Sequence, residues 1–170
     1  LALDNGLVRR TFVLSPNAAC VGLDQLTTNT ALLRAVRPEA EITIDGRTIA
    51  VGGLVGQPIQ NYLSREWIAS LKSDPAALQF VDFEVGPIEE RFAWWPRREW
   101  LSTAPVWPPP GMHLTLRFAA ADGERSAASA PSTSAPATSS PTASRGASAG
   151  GPAGLSVVVH YEIYDGLPLI

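Results

Sequence analysis

Four of the five tryptophans, Trp94, Trp95, Trp100 and Trp107, fall within RFAWWPRREWLSTAPVWPPPG at residues 91–111, together with Arg97, Arg98 and five prolines. Proline fixes φ and stiffens an extended backbone, so this stretch holds large flat rings on a restrained chain. Sugar rings present apolar C–H faces that stack on such rings, while guanidinium groups bind hydroxyls. Trp94, Trp95, Arg97, Arg98, Trp100 and Trp107 are therefore the candidate carbohydrate contacts. The competing reading is packing: the same rings would plug one edge of a sheet or seat against a following domain. The sequence leaves both readings open and favours packing.

Elsewhere the residues that could do chemistry are sparse. Asp82 and Glu84 share one face of a predicted strand at i, i+2, but neighbours on a single strand do not bracket a bond as glycosidase carboxylates do across about 5–9.5 Å. Glu89 and Glu90 are adjacent and point apart in an extended chain. These four read as solvated charge. His113 and His160, on separate predicted strands, read as ordinary strand histidines, because two imidazoles without a placed carboxylate make a weak metal set. The chain has no Gly-x-Ser-x-Gly elbow, Walker loop or His-Glu-x-x-His motif. GGLVGQP at residues 52–58 lacks dinucleotide-binding spacing and reads as a flexible loop. No catalytic residue, metal ligand or cofactor is assigned.

The net charge of −3 gives no basic field for phosphate, so nucleic acid is not expected as a partner. Cys20 is alone and can form no internal disulfide. No apolar run approaches the roughly 18–20 residues that span a bilayer, so no membrane span is expected. From Ser126 to Ala153 the chain is Ser, Ala, Pro, Thr and Gly with Arg145 as the exception. Such a composition has too little apolar side chain to repay ordering, and we read residues 126–153 as a long disordered insert within one domain covering 1–170.

The elements that must position these residues are mostly strands. EITIDGRTIAV sets Ile42 and Ile44 before an Asp45-Gly46 tip and Ile49 and Val51 after it, a hairpin pattern. Further strands are expected at Ala18–Asp24, Leu32–Val36, Phe80–Val85, Met112–Phe118 and Leu155–Tyr164. In the last, Val157, Val159, Tyr161 and Ile163 share one face and Val158, His160, Glu162 and Tyr164 the other, so both faces are expected to be largely covered. One short helix is expected, with Ser64 as cap, Leu63 and Ile68 at staple spacing, a Trp67, Ile68, Leu71 stripe and Pro75 beyond. Asn5-Gly6 and Asp165-Gly166 are turn signals near the two ends. The strand before the first is expected upstream of Leu1, so the chain reads as truncated inside its own sheet. The fold class is all-β, an antiparallel β-sandwich.

LDNGLVRRTF, the hairpin at Asp45-Gly46 and above all VVVHYEIYDGLPLI resemble the N-terminal β-sandwich, or supersandwich, of large α-galactosidase-type glycoside hydrolases and uncharacterised relatives. In such proteins a catalytic (β/α)8 barrel can follow and carries the catalytic carboxylates, none of which maps onto a position here. The resemblance implies a non-catalytic domain of a larger carbohydrate-active protein, whose partner is a downstream catalytic domain of the same parent chain, and points to secretion. The alternatives are a carbohydrate-binding module using the Trp-rich loop and a structural sandwich of a surface protein.

Overall fold

A computed structural model describes residues 1–94, 106–120 and 154–168. Of the tryptophan-rich stretch, Trp95, Arg97, Arg98 and Trp100 lie outside the described residues, as do residues 126–153.

Among the described residues the chain is built from nine strands in antiparallel sheets and one short helix. The first sheet orders β1 (Ala2–Asp4), β2 (Val8–Val13), β3 (Ala19–Gln25) and β4 (Thr30–Ala31). A separate hairpin joins β5 (Ala40–Ile44) to β6 (Arg47–Val51), and a three-stranded sheet runs β7 (Gln79–Pro87), β8 (Gly111–Ala119), β9 (Ser156–Tyr164). Leu3, Val8 and Phe12 of the first sheet, Ile49 and Val51 of the hairpin, and Leu114, Leu116 and Phe118 of β8 close on one another in a single core. Alternation favours this in β6 and β8, where the inward Ile49, Val51, Leu114, Leu116 and Phe118 stand beside polar or small residues.

Turn chemistry set the hairpins. Asp45 and Gly46 take φ of 51° and 75°, the left-handed pair that a two-residue hairpin requires. At Asn5-Gly6 the expectation needs correction. The preceding strand is not upstream of Leu1, because Ala2–Asp4 themselves pair with Arg9–Thr11. Asn5 Oδ1 accepts the N–H groups of Leu7 and Val8 and closes the turn, and Leu1 exchanges backbone bonds with Phe12 beyond the ladder.

Three other expectations change. Leu32–Val36 forms no strand: the ladder ends at Ala31, with one further bond from the Leu32 N–H to the Leu23 carbonyl. Val36 instead buries its side chain and donates its N–H to Gln57 Oε1, so the segment is tied to a loop rather than to a ladder. GGLVGQP is a packed crossover: Gly52, Gly53, Leu54 and Gln57 are buried, and Gln57 Nε2 donates to the carbonyls of Arg34, Ile59 and Tyr62. The helix α1 (Arg65–Ile68) is one turn, and Ser64 stands at its N-cap position without a side-chain cap bond.

The last strand also departs from its pattern. Val157, Val159, Tyr161 and Ile163 turn to the core, but Val158 and His160 are exposed, so one face of the three-stranded sheet is uncovered in the described structure. That open face and the loops at the sheet's end carry polar and aromatic groups. β8 and β9, which flank the low-complexity segment, are hydrogen-bonded neighbours from Gly111 to Ala119.

Candidate functional site

β7 ends at Pro87 and β8 begins at Gly111, so residues 88–94 and 106–110 lie at one end of the three-stranded sheet. There Trp107 donates its indole N–H to the carbonyl of Phe92 at 3.1 Å, which fixes the ring against the returning chain. Phe92 packs on Trp107 with centroids 5.1 Å apart, and Trp94 packs on it at 5.2 Å. Tilted contacts at this distance are favourable for aromatic quadrupoles. Phe92 and Trp94 remain 59% and 40% exposed, so the cluster is a surface feature rather than a plug in the core.

β9 supplies the polar rim. Glu162 and Tyr164 leave the same face of the strand, and the Tyr164 hydroxyl donates to Glu162 Oε2. That bond, with some burial and the carboxylate charge, holds the Tyr164 phenol protonated above its ordinary range. Arg91 stands 2.7 Å from Glu162 Oε1 as an ion pair, yet the approach is not that of a hydrogen bond, and this oxygen, shielded from water, accepts none among the described residues. An Arg91–Glu162 ion pair therefore sits beside an exposed aromatic cluster. Ile88, Pro108 and Pro109 complete the walls of a shallow cleft of about 50 Å3. Pockets that engulf small molecules measure about 300–1,000 Å3, so this one can only present a face for stacking.

The structure thus brings together two of the six sequence-predicted contacts, Trp94 and Trp107. The residues that sequence reasoning missed are Arg91, Phe92, Glu162 and Tyr164. Arg91 and Phe92 were within the singled-out stretch, but no local spacing joins it to Glu162 and Tyr164.

Other groups are placed as follows. Asp82 and Glu84 both pair with Arg117 at 2.7 and 2.6 Å on the open face, where they remain largely exposed, in keeping with their reading as solvated charge. A larger hollow of about 600 Å3 lies between β3 and α1, walled by aliphatic Val21, Leu23, Leu33 and Leu63 and by polar Thr11, Asp24 and Arg65. It offers no aromatic face. A buried polar knot crosses the core's margin: Glu39 faces Arg10 at 3.1 Å and accepts from the Cys20 N–H and the Tyr161 hydroxyl. It joins the first sheet to β9 and reads as structural.

No family model matches the chain, and no curated protein or solved structure matches it significantly.

Proposed function

We propose that the chain is a non-catalytic β-sandwich domain of a carbohydrate-active protein and contacts sugar through the Phe92–Trp107–Trp94 cluster. One observation carries this reading: exposed, mutually braced aromatic rings stand beside Arg91, a guanidinium that can donate to hydroxyl groups, and the Glu162 carboxylate it pairs with. Stacking supplies apolar contact, and the rim selects hydroxyl geometry. A shallow cleft suits a sugar laid on the surface of a longer chain.

Titrating a panel of galacto-, gluco- and manno-oligosaccharides while following tryptophan emission tests it. A saturable shift is expected for at least one sugar, weakened about tenfold or more in Trp107→Ala, a loss of ~1.4 kcal/mol. No shift across the panel, or a shift indifferent to Trp107 and Trp94, removes the proposal. The chain is expected to hydrolyse no aryl galactoside or glucoside; turnover abolished by replacing one of its carboxylates would make it an enzyme instead.

A second observation favours a supporting role beside a catalytic neighbour in the parent protein. Phe83 and Val85 pair with the buried Leu116 and Leu114 on the core-facing side of the sheet, yet they are 44% and 45% exposed. With Met112, at 46%, they form an apolar strip beyond the cover of the opposing layer. Such a strip at a sheet edge fits an apolar neighbour. Replacing Phe83 and Val85 with serine is expected to reduce self-association of the chain in light scattering; unchanged association would count against this role.

A further inference from the structure

His113 and His160 are the only two histidines of the chain, 47 residues apart in sequence. Antiparallel pairing of β8 with β9 sets His113 opposite Glu162 and His160 opposite Thr115, which places the two imidazoles diagonally on the open face of the sheet. Their rings lie within 13° of parallel, and His113 Nε2 is 2.8 Å from His160 Nδ1. Thr115 Oγ1 is 3.4 Å from the first nitrogen and 3.5 Å from the second.

Two neutral imidazoles this close share one proton: one nitrogen donates it and the other offers its lone pair. A first-row cation bound by both nitrogens would sit to one side of the line between them, so the rings, whose centroids are 5.0 Å apart and whose nitrogens face each other, would turn to receive it. Ligands about 2.0–2.1 Å from an ion and separated by 90–109° lie about 2.8–3.4 Å from each other, so the observed 2.8 Å, which is also that of an N–H···N hydrogen bond, stands at the short end of the range for two neighbouring ligands. We propose that His113 Nε2 and His160 Nδ1 form a two-histidine site for a divalent transition cation, such as Zn2+ or Ni2+, on the open face of the sheet. Water completes the coordination, and the Thr115 hydroxyl is placed to hold one such water.

The surrounding charges permit this. Arg91 approaches His113 Nε2 at 3.3 Å but is paired with Glu162, and Arg117 is paired with both Asp82 and Glu84. Glu84 and Glu89 line the same hollow of about 390 Å3, open to solvent on one side. Among the described residues no third histidine, cysteine or carboxylate joins the pair as a ligand, which makes this a site of modest affinity.

The test uses the whole chain and the metal alone, without sugar, so that its failure is separate from failure of the carbohydrate reading. Calorimetric titration with Ni2+ or Zn2+ at neutral pH is expected to give one site per chain. His113→Ala and His160→Ala should each weaken it at least about tenfold, the least expected for losing a group that matters to a metal site. Binding should weaken as the pH falls, because protons compete with the cation for the ring nitrogens. As a check on folding, each variant's metal-free melting temperature should match the parent's while the metal-induced rise is lost. Mg2+, which prefers oxygen donors, should bind no better to the parent than to the variants. No binding to the parent at millimolar metal, or equal binding by parent and variants, overturns the proposal.

Discussion

Glu39 is the residue on which the interior electrostatics turn. Its side chain is 1% exposed, and three elements deliver donors to it: Arg10 from β2, the Cys20 N–H from β3 and the Tyr161 hydroxyl from β9. Arg10 in turn lies 4.5 Å from the centre of the Tyr161 ring, a cation–π contact. Removing one partner from a buried pair leaves the other charge without compensation, so Glu39→Ala is expected to lower unfolding stability by about 3–5 kcal/mol in urea titration. The Tyr161 phenol is held protonated well above its ordinary 10.0, first by burial and then by the adjacent Glu39 charge. Both folded and unfolded chains keep this proton below about pH 10, so its contribution is complete there; above it the unfolded tyrosine ionises first and stability falls as pH rises. Stability measured by urea from pH 8 to pH 12 should therefore drop less steeply above pH 10 in Tyr161→Phe than in the parent. None of this was legible in the sequence, where Glu39 is one carboxylate in RPEAE and Tyr161 one member of an alternating strand. Trp94 and Trp107 were legible, because an unusual concentration of one residue type is itself a signal.

At the scale of elements, the chain is governed by where backbones touch. Gly52 follows β6 at φ +63°, and a Cβ there would lie 2.6 Å from both the Ala18 carbonyl oxygen and Phe118 Cε1. Its N–H also bonds to the Leu78 carbonyl, so the crossover out of the hairpin passes between two layers with no space to spare. Gly52→Ala is expected to destabilise by at least about 2 kcal/mol, combining left-handed backbone strain with overpacking. Gly86 provides the control, since a Cβ there would meet nothing within 4 Å and its φ is ordinary: Gly86→Ala should stay within about 0.5 kcal/mol. Similar denaturation midpoints for the two variants would show that the crossover is more yielding than its contacts imply. The glycine-rich run was visible as a turn signal, but its burial was not, since glycine spacing specifies backbone freedom and not what surrounds it.

For the whole molecule, cohesion comes from the layers closing over β8, where Leu114 and Leu116 are fully buried. Leu116→Ala removes contacts from both sides and should cost about 2–5 kcal/mol, depending on how far the cavity relaxes. Cys20 reports on the same closure. It is buried on the inner side of β3, and burial raises its thiol above the ordinary range, so it should resist a thiol reagent at pH 8 until the layers separate. Its labelling should be markedly faster in Leu116→Ala, and equal rates in parent and variant would detach the thiol from global opening.

The sequence by itself determined the turns, the antiparallel strands and the hairpin at Asp45-Gly46, because φ preference and period-two alternation act between near neighbours. It also marked the aromatic stretch by composition. Only the tertiary structure decided that the His160 face of β9 stays open, that Ala2–Asp4 complete the first hairpin, and that Leu32–Val36 leaves the sheet. It alone joined His113 to His160 across 47 residues and Tyr161 to Glu39 across 122. Such contacts depend on strand register and on which layer covers which face, and both are set by the packing of distant segments rather than by spacing along the chain.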